Sequence, residues 1–229
     1  MLKIERTNVY GWEAAIRGMR NPLNSWDKSD SDYAWDESKE DVSYFVGEND
    51  LKLMKNLSKA GDDHGKVVRY LDVYVDITAP LYWWKEFRTY RKGRQFMDDG
   101  DEFTNPDEFE LHIETNSCST MHKIHEKEFT LDDFSCEHLL VGSRFCLRQT
   151  IDLLNEAREA FLETKDKVYW WQMIQLLPSS YNQKRTVKLN YQALKNMYHA
   201  RKYHKLDEWR EFCAWCESLP YFKEICIDG

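Results

Sequence analysis

Leu51, Met54 and Leu57 recur at every third position through Asp50 to Ala60, a spacing that predicts an amphipathic helix stopped at Gly61. The next apolar residues, Val68, Tyr70, Val73, Val75 and Ile77, are interleaved mostly with charged ones and read as a half-buried strand running to Pro80. From Leu81 to Arg91 the period returns to that of a helix, with Trp84, Arg88 and Arg91 on one face, an aromatic floor beneath two guanidinium groups. Residues 93–115 are polar, acidic and broken by Gly and Pro, and read as an insertion. Leu147, Ile151, Leu154 and Phe161 mark a long core-facing helix over Ser143 to Lys165, with Ser143 as its N-cap. A shorter helix through Val168 to Trp171 should end before Pro178. Lys184 to Leu189 is expected to be extended, with helices over Asn190 to Tyr203 and Leu206 to Leu219, the last carrying Asp207 and Glu208 in its first turn. The pattern is mixed α and β, with no internal repeat and helices dominating the second half.

At 229 residues, 42% hydrophobic and 14% aromatic with nine Trp, the chain can bury a core and is too apolar to be disordered. A formal charge of −8 argues against a nucleic-acid partner, since covering many phosphates needs a basic face, but leaves room for one small anion. No stretch reaches the ~18 apolar residues of a membrane span, and the N-terminus lacks a secretory pattern. Six Cys at irregular spacing read as reduced thiols. The expectation is one domain over residues 1–229, soluble and cytoplasmic.

No phosphate-cradling glycine loop and no Gly-x-Ser-x-Gly elbow is present. Cys213 and Cys216 form a CxxC inside a helical pattern, with no second CxxC and no His pair at zinc spacing; two partly buried thiols are the better reading. His122 and His125, three apart beside Glu126 and Glu128, read as a solvated helix end rather than a metal site, and no metal is expected. Polar residues in helical, apolar contexts remain: Arg88, Asn116, Ser117, Ser119, Asn190, Asn196 and Arg201.

The run from Leu176 to Arg201, LLPSSYNQKRTVKLNYQALKNMYHAR, resembles the C-terminal signature of the flavin-dependent thymidylate synthases: a Leu-Pro, a short extended segment, then a helix carrying an Asn, a second Asn six on and an Arg five beyond, here Asn190, Asn196 and Arg201 with Leu194 also in place. On a helix, Asn190 and Arg201 fall about 20° apart while Asn196 is turned by roughly 120° from either, so one pocket on one face cannot use all three equally. Upstream, the order of a helix from Asp50, Gly61, a strand ending at Thr78-Ala-Pro80 and an aromatic helix from Trp83 is similar to the family's. The family's Arg-His-Arg is matched only by Arg88, in Arg88-Thr89-Tyr90; its Asn-Glu-x-Ser-x-Arg keeps Asn116 and Ser119 but has Ser117 and Met121 in place of the Glu and the Arg; and Ile174 stands where a further Arg is expected. Coverage runs from about Asp50 to Leu219, with a looser likeness over Ala14 to Ser25.

The resemblance implies an α/β (α+β) fold of the thymidylate-synthase-complementing-protein type, an antiparallel or mixed sheet with several long helices. It implies FAD as cofactor, NADPH and methylenetetrahydrofolate as co-substrates, reductive methylation of dUMP to dTMP, and a homotetramer whose sites lie between subunits. Carried over residue by residue, it gives FAD to Asn190, Asn196, Asn116 and Ser117, and the pyrimidine nucleotide to Arg88, Lys85, Arg91, Ser119 and Arg201, with Arg201 and Ser119 at the reacting end. Loss of the family arginines at Met121 and Ile174 leaves two alternatives: one-carbon transfer to another nucleotide such as dCMP, or a non-catalytic nucleotide-binding scaffold.

Overall fold

Val73, Val75, Ile77 and Ala79 are all but sealed from solvent, the alternate positions of one strand face. Their strand belongs to a computed structural model that describes residues 2–38, 40–61, 63–93, 109–110 and 113–228, with backbone alone at 91–93 and 109–110. In chain order the elements are β1 (Lys3–Tyr10), α1 (Trp12–Arg20), β2 (Asp32–Asp36), β3 (Asp41–Phe45), α2 (Glu48–Lys59), β4 (Asp72–Pro80), α3 (Leu81–Phe87), β5 (Lys92–Gly93), β6 (Phe109–Glu110), β7 (Glu114–Ser117), α4 (Val141–Thr164), α5 (Lys167–Leu176), β8 (Asn182–Asn190), α6 (Tyr191–Arg201) and α7 (Asp207–Ser218). The mixed α+β class is as expected. One sheet has the order β1-β4-β8-β7; β2 and β3 form an antiparallel hairpin, and β5 pairs antiparallel with β6.

The chain resolves into two compact units, and β1, β4 and β8 each pass from one to the other part-way along their length. The first comprises Met1–Glu5, Asp76–Thr89 and Thr115–Thr186. Its core gathers Ile124, Phe129, Phe134, Leu147, Ile151, Leu154, Ala157 and Met173, where α4 and α5 pack on each other. The turn between these helices is tight: Lys165 adopts the left-handed conformation and closes α4 on the Phe161 carbonyl, and the Asp166 carboxylate then accepts the Val168 N–H to start α5.

The second unit comprises Arg6–Val75, Tyr90–Glu114 and Val187–Gly229. A buried ion pair organises its N-terminal part. Arg20 donates through Nε to Asp50 at 2.6 Å, and the same carboxylate accepts from the hydroxyls of Ser29 (2.6 Å) and Ser31 (2.7 Å). At the opposite end, α6 packs on α7 and the Tyr191 hydroxyl donates to the Pro220 carbonyl.

Several boundaries differ from the sequence reading. Helix α2 begins two residues before Asp50, because the Asp30 carboxylate accepts the N–H groups of Asn49 and Asp50 and caps that end from elsewhere in the chain. Val68 and Tyr70 do not join β4: Gly65–Arg69 is a 3-10 turn, and the three-residue step from Tyr70 to Val73 breaks the period of two that a strand requires. α3 stops at Phe87 and tightens into a 3-10 turn over Arg88–Arg91, so the shared helix face of Trp84, Arg88 and Arg91 does not persist. Ser143 is not an N-cap; Arg144 already donates to the Leu140 carbonyl, so the helical ladder starts earlier. α6 closes at Arg201 rather than Tyr203. Of the expected insertion at 93–115, residues 94–108 and 111–112 lie outside the described residues, and its flanks pair as β5 and β6.

Candidate functional site

Lys85, Arg88, Ser117 and Ser119 meet in one cleft of about 400 Å³ in the first unit. α3 supplies Lys85, the 3-10 turn that follows it supplies Arg88, the end of β7 supplies Ser117, and the turn beyond it supplies Ser119. Trp84, Gln183, Arg185, Met121 and His122 complete much of the wall, and among the described residues no Asp or Glu lines it. In a chain with a formal charge of −8, a concave surface whose described residues include Lys85, Arg88 and Arg185 and no carboxylate is a local reversal of sign that suits an anion.

Ser119 is held in a defined state. Its hydroxyl oxygen accepts the backbone N–H of His122 at 2.9 Å and of Met121 at 3.3 Å, which leaves its proton as the group it can offer a ligand.

Arg185 is the residue that sequence reasoning missed. On β8 the alternate positions Gln183, Arg185, Val187 and Leu189 are buried, as is the terminal Asn190, while Lys184 and Lys188 lie on the other face and pair with Asp76 (3.1 Å) and Asp72 (3.0 Å). The signal was available: once Lys184 to Leu189 is read as a strand, alternation puts Arg185 on the same face as Val187 and Leu189. Its guanidinium lies 4.3 Å from the centroid of Trp84, and its Nε and Nη2 both donate to Gln183 Oε1, at 3.0 and 2.8 Å. Gln183 Nε2 in turn donates to the Cys118 carbonyl at 2.7 Å, and Trp84 Nε1 donates to the Gln183 carbonyl at 2.9 Å. The aromatic floor beneath a guanidinium therefore exists, but the cation over Trp84 is Arg185.

Asn116 is exposed on β7 and does not line the cleft. The side chain of Arg91 lies outside the described residues. Asn190, Asn196 and Arg201 belong to the second unit. Asn190 is 8% exposed and caps α6, its Oδ1 accepting the Ala193 N–H at 2.9 Å. Asn196 Oδ1 accepts from Gln192 at 3.2 Å. Arg201 donates through Nε to the Tyr90 hydroxyl at 2.5 Å, with its guanidinium 5.3 Å from the Tyr90 ring centroid and 5.0 Å from that of Trp209.

A neighbouring cleft of about 450 Å³ shares Cys118, Ser119 and Gln183 but mixes Glu126, Glu128 and Asp133 with lysines, so it lacks a single sign of charge. A larger cleft of about 530 Å³ in the second unit is walled by Ile16, Trp26 and Tyr44 beside Arg20, whose charge is already committed to Asp50, and holds none of the candidate residues. Charge rather than size places the candidate site in the cationic cleft.

Over the whole chain, two solved structures share this architecture. Thymidylate synthase X from Helicobacter pylori with FAD and dUMP is 14% identical, the match covering 100% of this chain and 98% of that one with a TM-score of 0.65. The fold is that of thymidylate synthase X. A second structure of the flavin-dependent thymidylate synthase from that organism, complexed with FAD and dUMP, matches at 14% identity over 99% and 98% of the two chains, TM-score 0.64. No family model matches the sequence, and no curated protein matches it.

Within the thymidylate synthase X fold of this chain, the other motifs carry little chemistry. Burial raises the Cys213 thiol to about 11 and that of Cys226 to about 12, and holds Cys216 well above the ordinary thiol range, so all three stay protonated and unreactive near neutrality. His122 and His125 lie on turns, not at a helix end, and among the described residues no group of three or more His, Cys, Asp or Glu converges as metal ligands. No helix among the described residues is long and apolar enough to cross a membrane.

Proposed function

We propose that this chain is a flavin-dependent enzyme acting on a pyrimidine nucleotide, with reductive methylation of dUMP to dTMP as its reaction. The observation that carries this reading is the end-to-end match of its fold to two synthase structures that hold FAD and dUMP. The cationic cleft supports it independently, because a nucleotide is an anion and this is where the surface is arranged to take one.

The donor set fits phosphorylated ligands: guanidinium and ammonium groups from Arg88, Arg185 and Lys85, with hydroxyl protons from Ser117 and Ser119. In this reading Arg88, Lys85, Ser119 and Arg201 bind and orient the nucleotide, and Asn190, Asn196, Asn116 and Ser117 contact FAD. Bound FAD, reduced by NADPH, would supply the hydride that completes the methyl group derived from methylenetetrahydrofolate. This chain's own residues supply position, charge and exclusion of water. The reading carries with it a homotetramer.

A different nucleotide, such as dCMP, is the second reading, and a specific observation favours it. Met121 lines the cleft where the family has an Arg, and Ile174, at the other lost Arg position, packs against the apolar core of the first unit. The phosphate-binding set has therefore changed.

The purified protein is expected to show flavin absorption bands that dithionite or NADPH bleaches, and to convert dUMP to dTMP when methylenetetrahydrofolate is added. Colourless protein that also takes up no added FAD would overturn the reading and leave a non-catalytic scaffold; turnover of dCMP in place of dUMP would select the second.

Arg201→Ala separates a ligand role from a structural one. If Arg201 reads the pyrimidine, the variant should bind dUMP roughly ten- to a hundred-fold more weakly, since a hydrogen bond to a charged group contributes about 1.5–3 kcal/mol, while still retaining FAD. Its cation-π contacts with Tyr90 and Trp209 predict a smaller loss of about 0.5–2 kcal/mol in stability. A fall in melting temperature with unchanged dUMP affinity in calorimetry would assign Arg201 to packing alone.

A further inference from the structure

Arg185 falls within the Leu176 to Arg201 run but is none of the residues that carry its resemblance to the thymidylate synthases, yet it stands in the cleft beside Arg88 and Lys85. Resting on the nucleotide reading above, we propose that Arg185 binds the 5′-phosphate of the substrate and that it takes over this task from the arginines replaced by Met121 and Ile174.

Three observations converge on this. The guanidinium is fixed before any ligand arrives. Trp84 lies under its face, and Gln183 Oε1 receives two of its N–H groups. Gln183 is itself oriented by its bond to the Cys118 carbonyl, which fixes which end of the amide faces Arg185. A guanidinium held in one orientation loses little freedom on binding, which is where Arg gains over Lys as a phosphate ligand.

The cleft also has the right charge for a phosphomonoester. Lys85, Arg88 and Arg185 line it with no carboxylate among the described residues, and Ser119 presents a hydroxyl proton because both of its lone pairs accept backbone N–H groups. A phosphomonoester carries about −1.5 to −2 near neutrality and three acceptor oxygens, which uses several such donors at once, whereas a carboxylate would use fewer.

Finally, the arrangement distinguishes Arg185 from its neighbours on β8. Lys184 and Lys188 lie on the opposite face of the strand, whereas Arg185 lies over an indole, donates to an amide and lines the cleft.

The test is calorimetric titration of dUMP and of deoxyuridine, the same compound without phosphate, into the FAD-loaded full chain and its Arg185→Met and Arg185→Lys variants. Wild type should prefer dUMP. Arg185→Met should weaken dUMP roughly ten- to a hundred-fold with deoxyuridine unchanged, the scale of one charged hydrogen bond. Arg185→Lys, which keeps the charge and loses the fork, should fall between and decides the matter if the Met variant does not fold. A dUMP-to-deoxyuridine preference equal to wild type in the folded variants would overturn the proposal while leaving the enzyme reading intact. Loss of FAD uptake with that preference unchanged would also overturn it and assign Arg185 to the flavin pyrophosphate. A wild-type protein that binds FAD but neither dUMP nor any other pyrimidine nucleotide would overturn the proposal and the nucleotide reading together.

Discussion

Asp50→Ala should destabilise the protein by about 3–5 kcal/mol in urea unfolding, the range for removing one partner of a buried ion pair. Asp50 has no exposed surface and Arg20 is 4% exposed, so a nearly buried guanidinium would be left without its carboxylate. The loss goes beyond one pair, because Asp50 also accepts from Ser29, Ser31 and the Asp30 N–H and so ties residues 29–31 to α2. The same group sets a pH dependence. Burial alone would raise its carboxyl, but the hydrogen bonds from Ser29, Ser31 and Arg20, together with the Arg20 charge, outweigh it and hold the folded value below the ordinary 3.8. A carboxyl lowered on folding contributes stability that is complete above its unfolded value and is lost as the pH falls through the folded one. Acid unfolding below pH 3.8 should therefore be less steep in Asp50→Asn than in wild type. A stability loss under about 1 kcal/mol for the Ala variant would show that the pair contributes little beyond the median of exposed ones.

Trp84→Ala is expected to destabilise by a comparable amount, about 3–5 kcal/mol, the range for truncating a buried Trp. Trp84 is 1% exposed, its ring meets those of Trp83 and Phe87 edge-on at 4.9 and 5.2 Å, and it carries the Arg185 guanidinium on its face. Removing it would also orphan the Gln183 carbonyl, which accepts its indole N–H. Trp84→Phe keeps a ring under the cation and loses only the donor, so it should cost about 1–3 kcal/mol, the penalty for one unsatisfied buried acceptor. Equal losses for the two variants would mean that the hydrogen bond, not the aromatic surface, holds this part of the cleft together.

Local pattern carried much of the fold. β8, α5, α6 and α7 were legible from local pattern, helped by a nearby signal for two of them: Pro178 after α5, and Asp207 with Glu208 at the start of α7. Errors fell where the pattern is ambiguous or the stop comes from elsewhere in the chain. Val68 and Tyr70 alternate well enough to read as strand, and only the changed step to Val73 betrays the turn. The start of α2 depends on Asp30, which no window around Asp50 contains.

The candidate site divides in the same way. Arg88, Lys85, Ser117 and Ser119 could be named from the chain because they fall in or beside short motifs of recognisable spacing, and the cleft does bring those four together. Asn190 could be named too, but its role as a helix cap is decided by the bond it makes to Ala193. Arg185 could not be singled out without its partners. Trp84 lies 99 residues from Gln183, and only when β8 runs past α3 do an indole, an amide and a guanidinium assemble into one support. From Asp50 onward the chain by itself determined roughly where most helices and strands form, because those depend on neighbours a few positions away, whereas β1, α1 and the β2–β3 hairpin were not read from it. Which cation faces the cleft, and which carboxylate is buried against which arginine, was decided by tertiary structure, because charge and burial are properties of residues brought together in space.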